Sequence, residues 1–138
     1  MRSRTALGVA LTLVVLGALV PDAEALPLPV GVWTIFANGV QGLLVVTAVD
    51  GAGNLTATAF GNVTTGFYSS ASNSIVFLRQ AGGALNTVQP YAGNLFTVPK
   101  GPGVCTYVLT GTFSAYSGTG GTAADNTFGW VAIIDGAC

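Results

Sequence analysis

Residues 104–138 read VCTYVLTGTFSAYSGTGGTAADNTFGWVAIIDGAC, and both cysteines of the 138-residue chain lie in this stretch, Cys105 near its start and Cys138 at its end. Folding Cys105 to Tyr116 back onto Thr127 to Cys138, with Ser117 to Asn126 as the connection, predicts a definite register. Cys105 then faces Cys138, Leu109 faces Ile134, Gly111 faces Ala132, Phe113 faces Trp130 and Ala115 faces Phe128. Large apolar groups collect on one face, while Thr110, Thr112, Ser114 and Gly129 fall on the other. Side chains alternate with a period of two along a strand, so a slip of one residue would scatter this set. Directly opposed residues at a non-hydrogen-bonded position have Cα atoms about 4.5 Å apart, within reach of a disulfide. A bridge between Cys105 and Cys138 is therefore expected.

At the other end of the chain, Arg2 and Arg4 precede the uncharged apolar run Ala6 to Val20, and Ala23-Glu24-Ala25 supplies small residues at cleavage spacing. This is the pattern of a secretory signal peptide. The run falls short of the roughly 20 apolar residues that span a bilayer, and no comparable run follows it. The expected division is a leader over residues 1–25, cut after Ala25, and one domain over residues 26–138, with no integral membrane segment left after cleavage. The protein is expected to be secreted or periplasmic, where a disulfide persists.

Without the leader, the charged residues are Arg79, Lys100, Asp50, Asp125 and Asp135. Two cations cannot neutralise a run of phosphates, which excludes a nucleic-acid partner. Low net charge with much apolar surface favours self-association, so a homo-oligomer is one expected state. Val, Ile, Thr, Phe, Tyr and Trp recur throughout, unlike in disordered chains.

Turn signals divide the domain into short strands. Gly31 to Asn38 ends at Asn38-Gly39; Gly42 to Val49 is followed by Asp50-Gly51-Ala52-Gly53-Asn54, residues that tolerate the positive φ of tight hairpins. Asn54 to Phe60 is the third strand, broken at Gly61-Asn62, and Val63 to Ser69 is the fourth, with Phe67 and Tyr68 on opposite faces. Ser74 to Gln80 is the fifth, in which Ile75, Phe77 and Arg79 share a face. In Thr87 to Val98, Pro90 removes a ladder donor and predicts an edge strand, a bulge or two shorter strands. Pro99 to Gly103 reads as a loop before the cysteine-bearing hairpin. No helix-period stretch follows the leader. The expected fold class is all-β, an antiparallel up-and-down meander of about eight strands closed into a small barrel, with a two-sheet sandwich as the alternative.

Catalytic parts are scarce. The chain has no histidine, the usual general base. Asp50, Asp125 and Asp135 are dispersed rather than paired for two-carboxylate hydrolysis. Two cysteines without histidine are better bridged than metallated, and Gly118 to Gly121 lacks the Lys-Ser/Thr that completes a phosphate loop. No cofactor or metal is expected, and the chain is not expected to be an enzyme; a lyase or cyclase acting on a hydrophobic substrate is the alternative. Asn54-Leu55-Thr56 and Asn62-Val63-Thr64 fit the glycosylation pattern, which matters only in a eukaryotic secretory route.

Arg79 shares its face with Ile75 and Phe77 and so points inward, where a guanidinium must be paired, stacked or wet. It would either anchor an anionic or carbonyl-bearing ligand or close one barrel end by stacking on Trp33 or bonding backbone carbonyls. Trp33, Tyr107, Phe113 and Trp130 supply apolar walls, Gln89 and Tyr91 supply polar contacts, and Gly111, Ala115 and Ala132 would leave a void between them. An eight-stranded barrel is either just filled by its side chains or holds one small ligand.

Gly31-Val32-Trp33 on a first strand, followed by a meander, resembles the Gly-x-Trp start of the calycin barrels, the lipocalins and avidins. That resemblance implies an up-and-down barrel with a cavity for a hydrophobic ligand, and a packing of Arg79 against Trp33. Ile35 stands where an avidin's biotin-contacting asparagine would be, so biotin does not carry over. The expected function is a secreted, non-catalytic barrel binding a small hydrophobic ligand in its interior through Trp33, Arg79, Gln89, Tyr91, Tyr107, Phe113 and Trp130. The alternative is a structural or surface-interaction module with no small-molecule ligand.

Overall fold

The computed structural model describes residues 24–81, 87–117 and 123–138. The strands are β1 (Gly31–Ala37), β2 (Val40–Val49), β3 (Asn54–Ala59), β4 (Asn62–Ser69), β5 (Ser74–Ala81), β6 (Thr87–Gly101), β7 (Val104–Ser117) and β8 (Ala123–Ala137). Each pairs antiparallel with the next, and β1 pairs with β8 to close the barrel. The chain is thus the expected all-β meander in its barrel form, not the sandwich, and the described residues contain no helix.

Two tight turns set one rim. Asn38 and Gly39 have φ of 49° and 78°, and Phe60 and Gly61 have φ of 51° and 77°, the mirror-image turn whose twist matches the flanking strands. The second corrects the sequence reading: β3 stops at Ala59, the turn is Phe60-Gly61, and Asn62 already belongs to β4. A bulky residue in the left-handed region is strained, and the Phe60 ring is held where glycine makes room for it. A Cβ on Gly42 would lie 2.2 Å from that ring.

β6 is one continuous strand, contrary to the readings of Pro90 as an edge, a bulge or a break. A closed barrel has no edge, and Pro90 pairs with Leu78 of β5. On the β7 side, pairing lapses between Val88↔Tyr116 and Tyr91↔Phe113 without a change of register, so the missing donor falls in a local gap. The loop expected at Pro99 to Gly103 shrinks to a turn at Pro102-Gly103, with an irregularity between Pro99 and Gly101.

The last hairpin carries the expected disulfide, Cys105 to Cys138, with Cα atoms 5.1 Å apart. Its register differs from the expected one by two residues: Cys105 faces Gly136, Leu109 faces Ala132, Gly111 faces Trp130 and Phe113 faces Phe128. A two-residue slip preserves every face, so alternation alone could not detect it. The ladder also runs further than expected, to Tyr116↔Ala123, across an irregularity between Ser114 and Tyr116. Residues 118–122 of the expected connection lie outside the described residues. Cys138 therefore reaches Cys105 diagonally from just past the strand, where its N–H donates to the Gly103 carbonyl at 3.2 Å.

Inside, Phe77, Tyr91, Phe113 and Phe128 are successive cross-strand partners on β5 to β8. The Phe77, Tyr91 and Phe113 rings stack at 4.5 and 4.6 Å, and Trp130 meets Phe77 and Tyr91 edge-on at 5.6 and 5.7 Å. Each such pair adds about 0.5–1.5 kcal/mol beyond the area it buries. Of the residues expected to leave a void, Ala115 does border a cavity, Ala132 is fully buried, and Gly111 has as its ladder partner Trp130, whose indole packs at that level. Its N–H donates to the Ala92 and Thr112 carbonyls at 3.1 and 3.2 Å, and a Cβ on Gly93 would sit 2.8 Å from its ring.

Because a Cβ on Gly111 would lie 1.8 Å from the Ala92 carbonyl oxygen while one on Gly129 meets nothing within 4 Å, two alanine substitutions in the same hairpin should differ. Gly111→Ala should lower the unfolding free energy by about 1–3 kcal/mol or more, and Gly129→Ala should stay within about 0.5 kcal/mol of wild type. Urea midpoints measure both. Equal losses would refute the close packing of β6 on β7.

Candidate functional site

The strand order sorts the side chains by height. The mouth, where β1, β3, β5 and β7 end, carries the Asn38-Gly39 and Phe60-Gly61 turns. The base carries the lead segment, residues 24–30, the Asp50–Gly53 turn and the disulfide.

Arg79 lies near the end of β5 and points inward at the mouth, half-buried. Its Nε donates to the Ala59 carbonyl at 3.2 Å and to Asn62 Oδ1 at 3.1 Å, and its Nη1 donates to Gln89 Oε1 at 2.7 Å. The guanidinium carbon lies 4.8 Å from the centre of the Phe60 ring, a cation–π contact. The strained Phe60-Gly61 turn thus presents both the ring and the Ala59 carbonyl to one cation. Arg79 takes the expected end-closing position by bonding a backbone carbonyl, but its aromatic partner is Phe60. The Trp33 pairing implied by the calycin resemblance does not form: Trp33 instead donates its indole N–H to the Pro29 carbonyl of the lead at 3.2 Å.

Gln89 is the hinge of the polar network. Its Oε1 accepts from Arg79 and also from the Tyr91 hydroxyl at 3.1 Å, and its amide N–H groups have no acceptor among the described residues. Burial pushes the Tyr91 phenol pKa up, and the charge of Arg79 opposes that shift. Tyr91 therefore remains a protonated donor at neutral pH. Opposite Arg79 in the β4–β5 ladder, Thr64 is 3% exposed and its Oγ1 has no hydrogen-bond partner among the described residues. The Nη2 of Arg79 likewise has no acceptor among the described residues.

Arg79, Gln89 and Tyr91 border a cavity of about 330 Å³ whose apolar wall includes Phe60, Phe113, Ala115 and Phe128; Thr64 does not line it. Of the residues expected at a ligand site, the structure brings Arg79, Gln89, Tyr91 and Phe113 together there. Trp130 packs beneath, edge-on to Tyr91. Trp33 and Tyr107 stand apart: each is near the base end of its strand, and the Tyr107 hydroxyl donates to the Ala137 carbonyl at 2.6 Å beside the disulfide. The sequence reading missed Phe60 and Asn62, whose only signal was the glycine between them, and Thr64, whose inward face followed from strand alternation.

A larger depression, about 560 Å³, lies on the outer wall of β4 to β7 over Phe67, Val76, Leu78, Pro90 and Ala92. No charged residue lines it, and few polar groups converge on it. A ligand site needs an apolar enclosure with a few placed polar groups, and the mouth has both. No group of three or more His, Cys, Asp or Glu side chains comes together among the described residues. Compared with family models, curated proteins and solved structures, the chain matches none.

Since Arg79 holds the Tyr91 pKa down against burial, Arg79→Gln should move the Tyr91 ionisation to higher pH. The native tyrosine contributes stability that is complete below its unfolded pKa of about 10, and that contribution is lost as pH rises through the folded value. Tyrosinate absorbance against pH, with Tyr91→Phe to identify the transition, measures the shift. A transition that stays in place or moves down would remove the coupling.

Proposed function

We propose that the protein is an extracytoplasmic, non-catalytic barrel that binds a small molecule at its mouth. The ligand carries an acceptor-rich, anionic head and a short apolar or aromatic body. The observation that carries this reading is the Arg79 guanidinium, stacked on Phe60 and held by neutral acceptors, at the rim of an apolar cavity. A carboxylate head meets the remaining guanidinium and Gln89 amide donors, in the charge-assisted geometry that arginine favours. The body lies against Phe113 and Phe128.

The dimensions narrow the class further. At about 330 Å³ the cavity is at the small end of ligand sites, which run from about 300 to 1,000 Å³. The stacked rings form its floor, so a long acyl chain threaded through the barrel does not fit, and a one-ring or short-chain acid does. The disulfide supports the extracytoplasmic part of the reading. A non-catalytic role is supported by what lines the cavity: beside the guanidinium stands a tyrosine whose phenol pKa burial raises, which is unsuited to proton transfer at neutral pH.

A second reading, a surface-interaction module, is favoured by the outer-wall depression, where Phe67, Val76 and Leu78 are 44%, 50% and 43% exposed. Light scattering at high concentration separates it, since a module that pairs through this wall would self-associate and a mouth binder need not.

Titration calorimetry with a panel of short aromatic and aliphatic carboxylates, each matched to its neutral amide, tests the leading reading. At least one carboxylate should bind, its amide should bind at least tenfold more weakly, and Arg79→Gln should cost at least tenfold, about 1.4 kcal/mol. Equal affinity for acid and amide, or no effect of the substitution, would overturn it.

A further inference from the structure

The base of the barrel holds a second built feature, and its occupant is the chain's own amino-terminal segment. Asn73 sits in the turn between β4 and β5 in the left-handed conformation, φ 51°, which asparagine tolerates better than most residues. Its backbone carbonyl accepts from the Leu95 N–H at 2.7 Å, tying the turn to β6. Its side-chain amide faces the lead segment: Oδ1 accepts from the Leu26 N–H at 2.8 Å, and Nδ2 donates to the Glu24 carbonyl at 2.9 Å. The Tyr68 hydroxyl donates to the Leu26 carbonyl at 2.6 Å. Tyr68 is buried, and burial pushes its pKa up to about 12, so it keeps that proton.

Packing draws a border at the same place. Leu26 packs against the core and Leu28 belongs to it, whereas Glu24 and Ala25 are exposed. Side-chain packing therefore starts at Leu26, the residue after the Ala23-Glu24-Ala25 pattern, and ahead of it the described contact is the hydrogen bond from Asn73 Nδ2 to the Glu24 carbonyl.

We infer that Asn73 and Tyr68 form a capture site for a processed amino terminus, in which Leu26 is the first residue of the mature chain and its α-ammonium is bound by Asn73 Oδ1. Processing is hydrolysis of the Ala25–Leu26 peptide bond by an endopeptidase that reads small residues at alternate positions. Water supplies hydroxyl to the Ala25 carbonyl carbon and a proton to the Leu26 nitrogen, which takes a second proton from solvent. The bond to the Glu24 carbonyl is given up, and the neutral N–H contact at Oδ1 becomes a charge-assisted one, which is roughly twice as strong. The site seats the new terminus at the base, away from the mouth. This inference rests on the extracytoplasmic reading and is independent of the ligand at the mouth.

The full chain, expressed with its own leader in a secreting bacterial host and purified from the extracytoplasmic fraction, tests it by intact mass and amino-terminal sequencing. The expected first residue is Leu26. A chain that starts elsewhere after cleavage overturns this inference alone, and a chain retained uncut in the cytoplasm overturns the extracytoplasmic reading with it. Capture itself is read from the rate at which an amine-acylating reagent modifies the Leu26 amine. Asn73→Ala should raise that rate several-fold, and Tyr68→Phe, which removes one hydroxyl and keeps the ring, should raise it less. If Asn73→Ala does not fold, the Tyr68→Phe rate decides. An unchanged rate in the folded variants overturns capture.

Discussion

The stack of Phe77, Tyr91 and Phe113 constrains everything else in this barrel. These rings are direct cross-strand partners on three adjacent strands, so one ring per strand is set at one height and the interior at that height is closed. A barrel of eight strands has room inside for side chains or for one small ligand. Here the side chains have the room, and Trp130 takes the space that Gly93 leaves, while β6 packs directly onto Gly111. What remains for a ligand is the end above the stack. Tyr91 joins the two levels, because its ring belongs to the stack and its hydroxyl belongs to the Gln89–Arg79 network. The position of the charge at the mouth is therefore fixed by the packing below it.

Arg79 is held without a carboxylate partner among the described residues. Withdrawing a cation from water is costly unless its donors are met, and here the Ala59 carbonyl, Asn62, Gln89 and the Phe60 ring meet part of that need. All four are neutral. They lower the cost of burial and do not themselves cancel the positive charge. The ion pair of Lys100 with Asp135 is the opposite case: both side chains are more than half exposed, where such pairs contribute little.

Much of the architecture was legible because alternation and turn chemistry are local. Inward and outward faces followed from the period of two, so Leu109, Phe113 and Trp130 were assigned inside and Thr110 and Thr112 outside. Asp50 to Asn54 announced its turn, and the carboxylate of Asp50 does cap it, accepting from the Ala52 and Asn54 N–H groups at 2.9 and 2.8 Å. Register was not legible, since a slip of two residues leaves every face unchanged and only long-range pairing distinguishes the two. The Phe60 turn was hidden because a phenylalanine in the left-handed region runs against local preference. It is imposed by tertiary contacts with Gly42 and Arg79, which do not exist until the sheet closes. Arg79, Gln89, Tyr91 and Phe113 were recoverable from their faces. Trp33 and Tyr107 were not separable from them, because a face says nothing about height along the barrel.

Height matters because the two ends are built differently. At the base, the Cys105–Cys138 bridge spans a sequence separation of 33 residues, a loop whose closure contributes about 3–4 kcal/mol on the chain-entropy account. The lead segment adds Leu28 to the core and four hydrogen bonds through Trp33, Tyr68 and Asn73. At the mouth the ladder weakens: β6 misses pairs with β7 around Pro90, and β7 shifts register on β8 between Ser114 and Tyr116. Local opening follows the elements with the fewest backbone bonds and tertiary ties, so by that rule the β6–β7 and β7–β8 ladders at the mouth open before the stapled base. A site placed at the mouth can admit a ligand without breaking the staple or the aromatic stack, and a ligand bridging Arg79 and Gln89 would in turn tie β5 to β6 where Pro90 leaves the neighbouring ladder open.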